Sequence, residues 1–457
     1  MLSLLLLVLY LFVAFLFGAW GLKSTGIYQN PKLSGLPSRI VINLCFALSL
    51  NLLFAHLLAF PLQNFALAAQ ITSILITALA IFYLLTSFKE DSANFSFSKT
   101  DFVILILAFL IALSAGIRGH LTDSDNTHIP WSHSLVMNHK YPPRLPIDPS
   151  VDLGFYHYGT DLYIGSISSI TGAMPWDSIS MQVAVGCFLA FLSFFVIFNY
   201  FFESKLSPLF ATLFIFFFTS ETSICFFYKY FGQIIQTPFP DLMKVWQDAS
   251  LVSSVHMPYF AVLVSQNMAL APLLIVFLMA FLLINKSIKP NFFFYLAVAV
   301  LSYSAYSCYP AWWYPGLAAF LGFFVIDVFR SKQFKSSLAF LAVFALVKFL
   351  SFDGDAAALN GVKAMVFKPS LYWEHYAMNF LGYFDLSKES HLILTLPDYV
   401  SGKIVYNVHL FTWLTFINWG LLLIIATILL VCNIKNIFTN KTWIFYLTAL
   451  PGLAFPF

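Results

Sequence analysis

RGHLTDSDNTHIPWSHSLVMNHKYPPRLPIDPSVDLGFYHYG, Arg118–Gly159, interrupts a chain that otherwise reads like hydrocarbon. It holds five of the ten histidines and four aspartates. Such groups require water, a ligand, a metal or one another, because leaving each unpaired in apolar surroundings costs ~2–7 kcal/mol. Apolar runs flank the segment on both sides, and ~20 such residues suffice to cross a bilayer as a helix. The pattern predicts an all-α polytopic membrane protein whose chemistry is gathered in one extramembrane loop.

Composition agrees. Apolar residues make up 60% of the chain and charged residues 9%, with mean hydropathy +0.84, whereas soluble domains carry about 25% charged residues. A formal charge of +3 is too small to suggest a nucleic-acid partner, and the bilayer is the partner implied. The five cysteines (Cys45, Cys187, Cys225, Cys308, Cys432) lie in or beside apolar runs without paired spacing, which argues against a metal finger or a disulfide framework.

Working outward from the loop, apolar runs predict about 11–12 spans. They fall near 2–22, 40–61, 66–87, 102–117, 180–202, 208–226, 257–284, 292–308, 311–329, 337–351, 406–431 and 443–457. The first lacks a basic leader and a small-residue cleavage site, so it reads as a retained span. The last stops at AFPF without a polar flank, as expected of a chain cut within a helix. One transmembrane domain over 1–457 is expected, with large outer loops carrying short amphipathic helices. Its parts are three N-terminal spans (1–101), a core (102–351) bearing the loop 118–179, a second outer loop (352–405) and C-terminal spans (406–457).

Basic residues set the orientation. Lys23, Lys32 and Arg39, Lys89 and Lys99, Lys205, Lys286 and Lys289, Arg330, Lys332 and Lys335, and Lys435 and Lys441 occupy every second loop. These face the cytoplasm, which places the N-terminus and the long loops 118–179, 227–256 and 352–405 outside. The sequons at Asn94, Asn285 and Asn440 all fall on the inner side, consistent with this parity.

Within the organising loop, Asp123 and Asp125 are two residues apart, and His128 follows three further on. Carboxylate and imidazole together suit Mg, Mn or Zn, so Asp125 and His128 are candidate metal ligands. Either aspartate would equally serve as a general base toward a hydroxyl, or simply cap a hydrated loop. Lys140 and Arg144 bracket Tyr141-Pro142-Pro143 and suit either a ligand phosphate or anionic headgroups. Beyond them, Leu162, Tyr163, Ile167 and Ile170 predict a short amphipathic helix ended by Gly172, with His157 and Asp161 four apart on one face at its start. Charges within the spans, where transporters bind their cargo, are few: Glu221, Asp327 and Lys348 lie toward span ends.

An acidic pair just after an early span, a run ending in YPP, and HYG…DLYIGSISSITG leading into the next span resemble the C-type glycosyltransferase superfold over about 100–185. That superfold includes protein mannosyltransferases, aminoarabinose transferases and oligosaccharyltransferases. The resemblance implies an enzyme of the plasma (inner) membrane that transfers a sugar, with inversion, from a polyprenyl-phosphate donor to an acceptor hydroxyl at the outer face. It implies catalytic roles for Asp123 and Asp125, a divalent cation (Mg or Mn), and substrate contacts from Lys140, Arg144, His157, Tyr158 and Asp161. Two features depart from the pattern. Three N-terminal spans precede the span that leads into the loop, where the family usually has the acidic loop after its first span, and the prolines expected ahead of the short helix are absent. A lipid-linked-sugar flippase or other transporter, and a polysaccharide polymerase or ligase, are the alternative readings.

Overall fold

The computed structural model describes residues 2–88, 97–118, 128–137, 141, 158–202, 206–218, 267–284 and 287–308, with 338–339, 342–343 and 345–347. The chain divides into two compact units: Met1–Phe216 with Pro258–Asp353, and Phe217–Met257 with Gly354–Phe457. The description below is of the first. The spans expected near 311–329, 406–431 and 443–457, and the loops 227–256 and 352–405, lie outside the described residues.

Among the described residues all regular structure is helical: α1 (Leu2–Lys23), α2 (Leu36–Leu62), α3 (Phe65–Thr86), α4 (Lys99–Arg118), α5 (Ile129–Met137), α6 (Tyr158–Thr171), α7 (Pro175–Phe201), α8 (Leu206–Phe218), α9 (Asn267–Ile284) and α10 (Phe292–Cys308). Five of them, α1–α4 and α7, are long and apolar enough to cross a bilayer; α9 and α10 are shorter apolar helices. This is a multi-pass, all-α membrane protein.

Local chemistry sets the ends. Pro37 opens α2 and Pro175 opens α7, where the missing N–H has no helical partner to lose. Pro175 and Asp177 start α7 five residues before the apolar run at 180, because proline is preorganised for a first turn and a carboxylate there is favoured by the helix dipole. Asn64 caps α3 by accepting from Leu67 N at 3.0 Å.

Lipid-facing and packed sides of α4 are both apolar. Phe102, Ile106, Phe109 and Leu113 are exposed along one stripe; Ile104, Ala108, Ile111 and Ala115 are buried along the opposite one. The buried stripe packs on α7, where a Cβ added at Gly116 would lie 3.0 Å from Ala184 Cβ. Lipid tails are as apolar as leucine, so such a pair is held by close approach rather than by hydrophobicity. The α1–α2 crossing follows the same rule: a Cβ at Gly18 would strike the backbone carbonyl of Asn43.

At one end of the bundle the loops expected on the inner side are tied together. Asn291 Nδ2 donates to Ser24 O at 2.5 Å, Lys32 Nζ to Tyr200 O at 2.8 Å, and the Tyr200 and Ser287 hydroxyls pair at 3.0 Å. Three alternate loops therefore share one end, as the charge pattern requires. The loop-borne helices α5 and α6 gather at the other end, beside Gln63 and Gln70.

The short helix α6 forms over the expected stretch and ends in the left-handed turn at Gly172 (φ +68°). Its placement differs from the amphipathic surface helix expected. It packs against α1, α2, α3, α5, α7 and α10, and only Ser169 and Ile170 escape burial. The reason is polar satisfaction within the bundle. Gln182 Nε2 donates to Thr160 O at 3.2 Å, Tyr163 and Ser304 hydroxyls pair at 2.9 Å, and Ser168 Oγ donates to Ala173 O at 2.6 Å. Gly159 permits the close approach to α10, since a Cβ there would lie 2.6 Å from Ser307 C.

Candidate functional site

Two of the candidate residues, His128 and Asp161, meet where α5 and α6 pack together. Asp161 occupies the first turn of α6, where the helix dipole favours a carboxylate, yet its side chain is fully buried. Its Oδ1 lies 2.9 Å from His128 Nδ1 and 3.4 Å from Ser132 Oγ. His128 immediately precedes α5, and its carbonyl accepts from Ser132 Oγ at 2.6 Å, so the first turn of α5 fixes both partners. The second oxygen, Oδ2, has no hydrogen-bond partner among the described residues. Burial pushes the Asp161 carboxyl above the ordinary aspartate range, while hydrogen bonding and charge from His128, then Ser132, pull it back. The His128 side chain remains 14% exposed, so the pair has a route to the water side.

An aromatic cluster adjoins the pair one turn earlier on α6. Tyr158 is buried, and its hydroxyl pairs with that of Tyr303 at 3.2 Å. The ring of His56, fully buried on α2, lies 5.1 Å from Tyr158 and 5.1 Å from Phe60. Tyr141 hydrogen-bonds His56 Nδ1 through its hydroxyl, and its own N–H donates to Gln63 Oε1 at 3.4 Å. Burial drives the Tyr141 phenol well above its usual range, so it stays neutral and protonated. The loop is thereby pinned to the bundle at Tyr141 as well as through α5 and α6.

Of the residues expected at the site, the structure brings together His128 and Asp161 and places Tyr158 beside them. Asp123, Asp125, Lys140, Arg144 and His157 lie outside the described residues, as does the pairing of Asp125 with His128 and of His157 with Asp161. Among the described residues no three His, Cys, Asp or Glu side chains converge as a metal set. The His128–Asp161 contact nevertheless matches how ligating histidines are held: a carboxylate on one ring nitrogen orients the other toward a cation. Sequence reasoning does not reach His56 or Ser132. For His56 the available signal is an imidazole inside an otherwise apolar span. For Ser132 there is none, since a serine becomes informative only beside its acid.

A buried carboxyl pushed above its normal range and hydrogen-bonded to an imidazole has the chemistry of a proton donor or acceptor. Comparison with known proteins adds no family: no family model, no curated protein and no solved structure matches this chain.

Proposed function

We propose that this chain is a membrane glycosyltransferase that moves a sugar from a polyprenyl-phosphate donor to an acceptor hydroxyl at the outer face of the plasma (inner) membrane. The observation that carries this reading is the buried Asp161 carboxylate, paired with His128 at 2.9 Å where the polar loop folds onto the bundle. A loop serving only as a connection has no reason to bury an ionisable pair, which costs several kcal/mol per charge.

In the reaction the acceptor oxygen attacks the anomeric carbon, the bond from that carbon to the phosphate oxygen breaks, and the polyprenyl phosphate leaves. The acceptor proton passes to a carboxylate, Asp123 or Asp125, and the anomeric centre inverts. Lys140 and Arg144 offset charge on the departing phosphate, the arginine in bidentate fashion. Asp161 orients His128, which with Asp125 would hold a divalent cation; that cation would supply further charge neutralisation at the phosphate. Tyr158, one turn before Asp161 on α6, would bring the aromatic cluster to the side of that pair.

The test is transfer from a radiolabelled polyprenyl-phosphate sugar by the purified chain, with Asp123→Asn, Asp125→Asn and Asp161→Asn compared. Loss of transfer with an intact fold supports the reading; transfer unaffected by all three removes it. One feature also favours the transporter reading: a buried carboxylate on a short helix inserted among spans is what proton-coupled carriers use. Uptake of a lipid-linked sugar into sealed vesicles, with no covalent transfer, would establish that reading instead.

A further inference from the structure

Three side-chain oxygens near the junction of α6 and α7 have no hydrogen-bond partner among the described residues: Asp161 Oδ2, Ser178 Oγ and Gln182 Oε1. All three side chains are fully buried. A buried polar group left unsatisfied costs about 1–3 kcal/mol. Buried polar atoms are as a rule paired with protein or with ordered water.

The packing of α6 on α7 brings the three residues to one place. Ser178 and Gln182 are four residues apart on α7, so they share a face of that helix, one turn apart. Gln182 Nε2 donates to Thr160 O at 3.2 Å. That carbonyl belongs to the peptide joining Thr160 to Asp161, so the amide head stands against the backbone of the acid. The same bond sets the amide's orientation: its nitrogen is engaged and its oxygen is the end left over. On the acid, Oδ1 is engaged from the α5 side, by His128 Nδ1 at 2.9 Å and Ser132 Oγ at 3.4 Å, and Oδ2 is the end left over. Helix α5 packs on α7 as well as on α6, which closes the junction from a third side.

Chemistry selects the occupant. Gln182 Oε1 only accepts, the Ser178 hydroxyl donates and accepts, and Asp161 Oδ2 accepts when ionised and donates when protonated. A cation is disfavoured, because Asp161 and Ser178 lie in the first turns of α6 and α7, the positive ends of both helix dipoles. Water is neutral, donates twice and accepts, and a buried water typically makes about three hydrogen bonds. We infer that an ordered water bridges Asp161 Oδ2, Gln182 Oε1 and Ser178 Oγ. Gln182 and Ser178 are thereby positioning residues for the acid: they hold its second oxygen from α7, as His128 and Ser132 hold the first from α5. The water site stands whether or not a sugar is transferred, since its test reads water and not activity.

The experiment is hydroxyl-radical labelling of the full-length chain in detergent by a brief X-ray pulse, read by mass spectrometry. A bound water is split where it sits and oxidises the side chains around it. Cys308 and Cys187 make an internal comparison, since both thiols are fully buried. Cys308 lies beside the junction: its backbone N is 2.7 Å from where a Gly159 Cβ would stand, and its thiol is in reach of the Thr160 hydroxyl. Cys187 lies further along α7, past Gln182. Cys308 is expected to be oxidised several-fold faster than Cys187, and the excess is expected to fall to parity in Gln182→Leu and in Ser178→Ala. Ser178→Ala leaves the Gln182–Thr160 bond in place, so it decides the matter if Gln182→Leu fails to fold; thermal midpoints check both. N-ethylmaleimide, too large to follow a single water, should leave Cys308 unmodified in the native chain. Equal oxidation of the two thiols in the parent, an excess that survives either folded variant, or maleimide modification of native Cys308 would each overturn the assignment.

Discussion

His128 Nδ1 and Asp161 Oδ1 lie 2.9 Å apart across 33 residues of sequence, and Asp161 is fully buried while its other oxygen lacks a partner among the described residues. Removing the two partners should therefore have unequal consequences. His128→Ala removes the closest partner of the buried carboxyl, which then holds its proton more tightly, and is expected to cost about 1–3 kcal/mol. Asp161→Asn keeps an oxygen for His128 and should cost under ~1 kcal/mol, while sugar transfer falls about 100-fold or more if the pair moves a proton. Thermal midpoints and transfer rates on the same preparations check both.

The same carboxyl gives a pH dependence of fixed sign. Burial raises its folded value above the ordinary 3.8. The folded state then holds the proton more tightly than the unfolded chain. Its stabilising contribution is fully present below the unfolded value and is lost as pH rises through the raised folded value. The difference in thermal midpoint between the parent and Asp161→Asn, measured with a chelator present, should move against the parent with rising pH across that window. A difference that is flat with pH would refute the buried, proton-holding carboxyl.

Close approach at glycines ranks three substitutions. Gly18→Ala meets the Asn43 carbonyl and Gly159→Ala meets Ser307 and Cys308 backbone at 2.6–2.8 Å, so neither neighbour can rotate away. Each is expected to cost about 1–3 kcal/mol by overpacking. At Gly172 nothing lies within 4 Å, and Gly172→Ala should cost only the left-handed backbone penalty of about 1–2 kcal/mol. Gly159→Ala should also lower transfer, since it displaces α6 and with it Asp161.

Tyr141 ties the loop to the bundle through its hydroxyl on His56 and its backbone N–H on Gln63. Tyr141→Phe keeps the ring beside Phe60 and Phe65 but removes the hydrogen bond to His56, an expected loss of about 1–3 kcal/mol. Tyr158→Phe breaks a longer contact, 3.2 Å to Tyr303, and should cost less, about 0.5–1.5 kcal/mol. Denaturation in detergent gives the order directly; the reverse order would mean that the His56 bond does not hold the loop.

Topology is open to labelling. Ser24→Cys and Lys289→Cys sit at the basic end, Met137→Cys and Met174→Cys at the end carrying α5 and α6. An impermeant thiol reagent applied from outside should label the last two and leave the first two untouched until the membrane is opened. The native Cys45, Cys187 and Cys308 are buried, and the unsubstituted chain sets the background. Labelling of Ser24→Cys from outside would invert the orientation.

The amino-acid sequence determined the membrane-helix class, the positions of α1–α4 and α10, and the short helix ended by Gly172, because apolar length and a glycine stop are local signals. It also determined that the polar loop and the basic loops belong to opposite ends, since charge alternates along the chain. Only the tertiary structure decided that α6 is sunk among other helices, that Asp161 pairs with His128, and that Gln182 of α7 reaches Thr160 of α6. The physical reason is the solvent. In lipid both faces of a helix such as α4 are apolar, so hydropathy cannot say which side is packed, and polar partners are fixed by helix contacts between residues far apart in sequence.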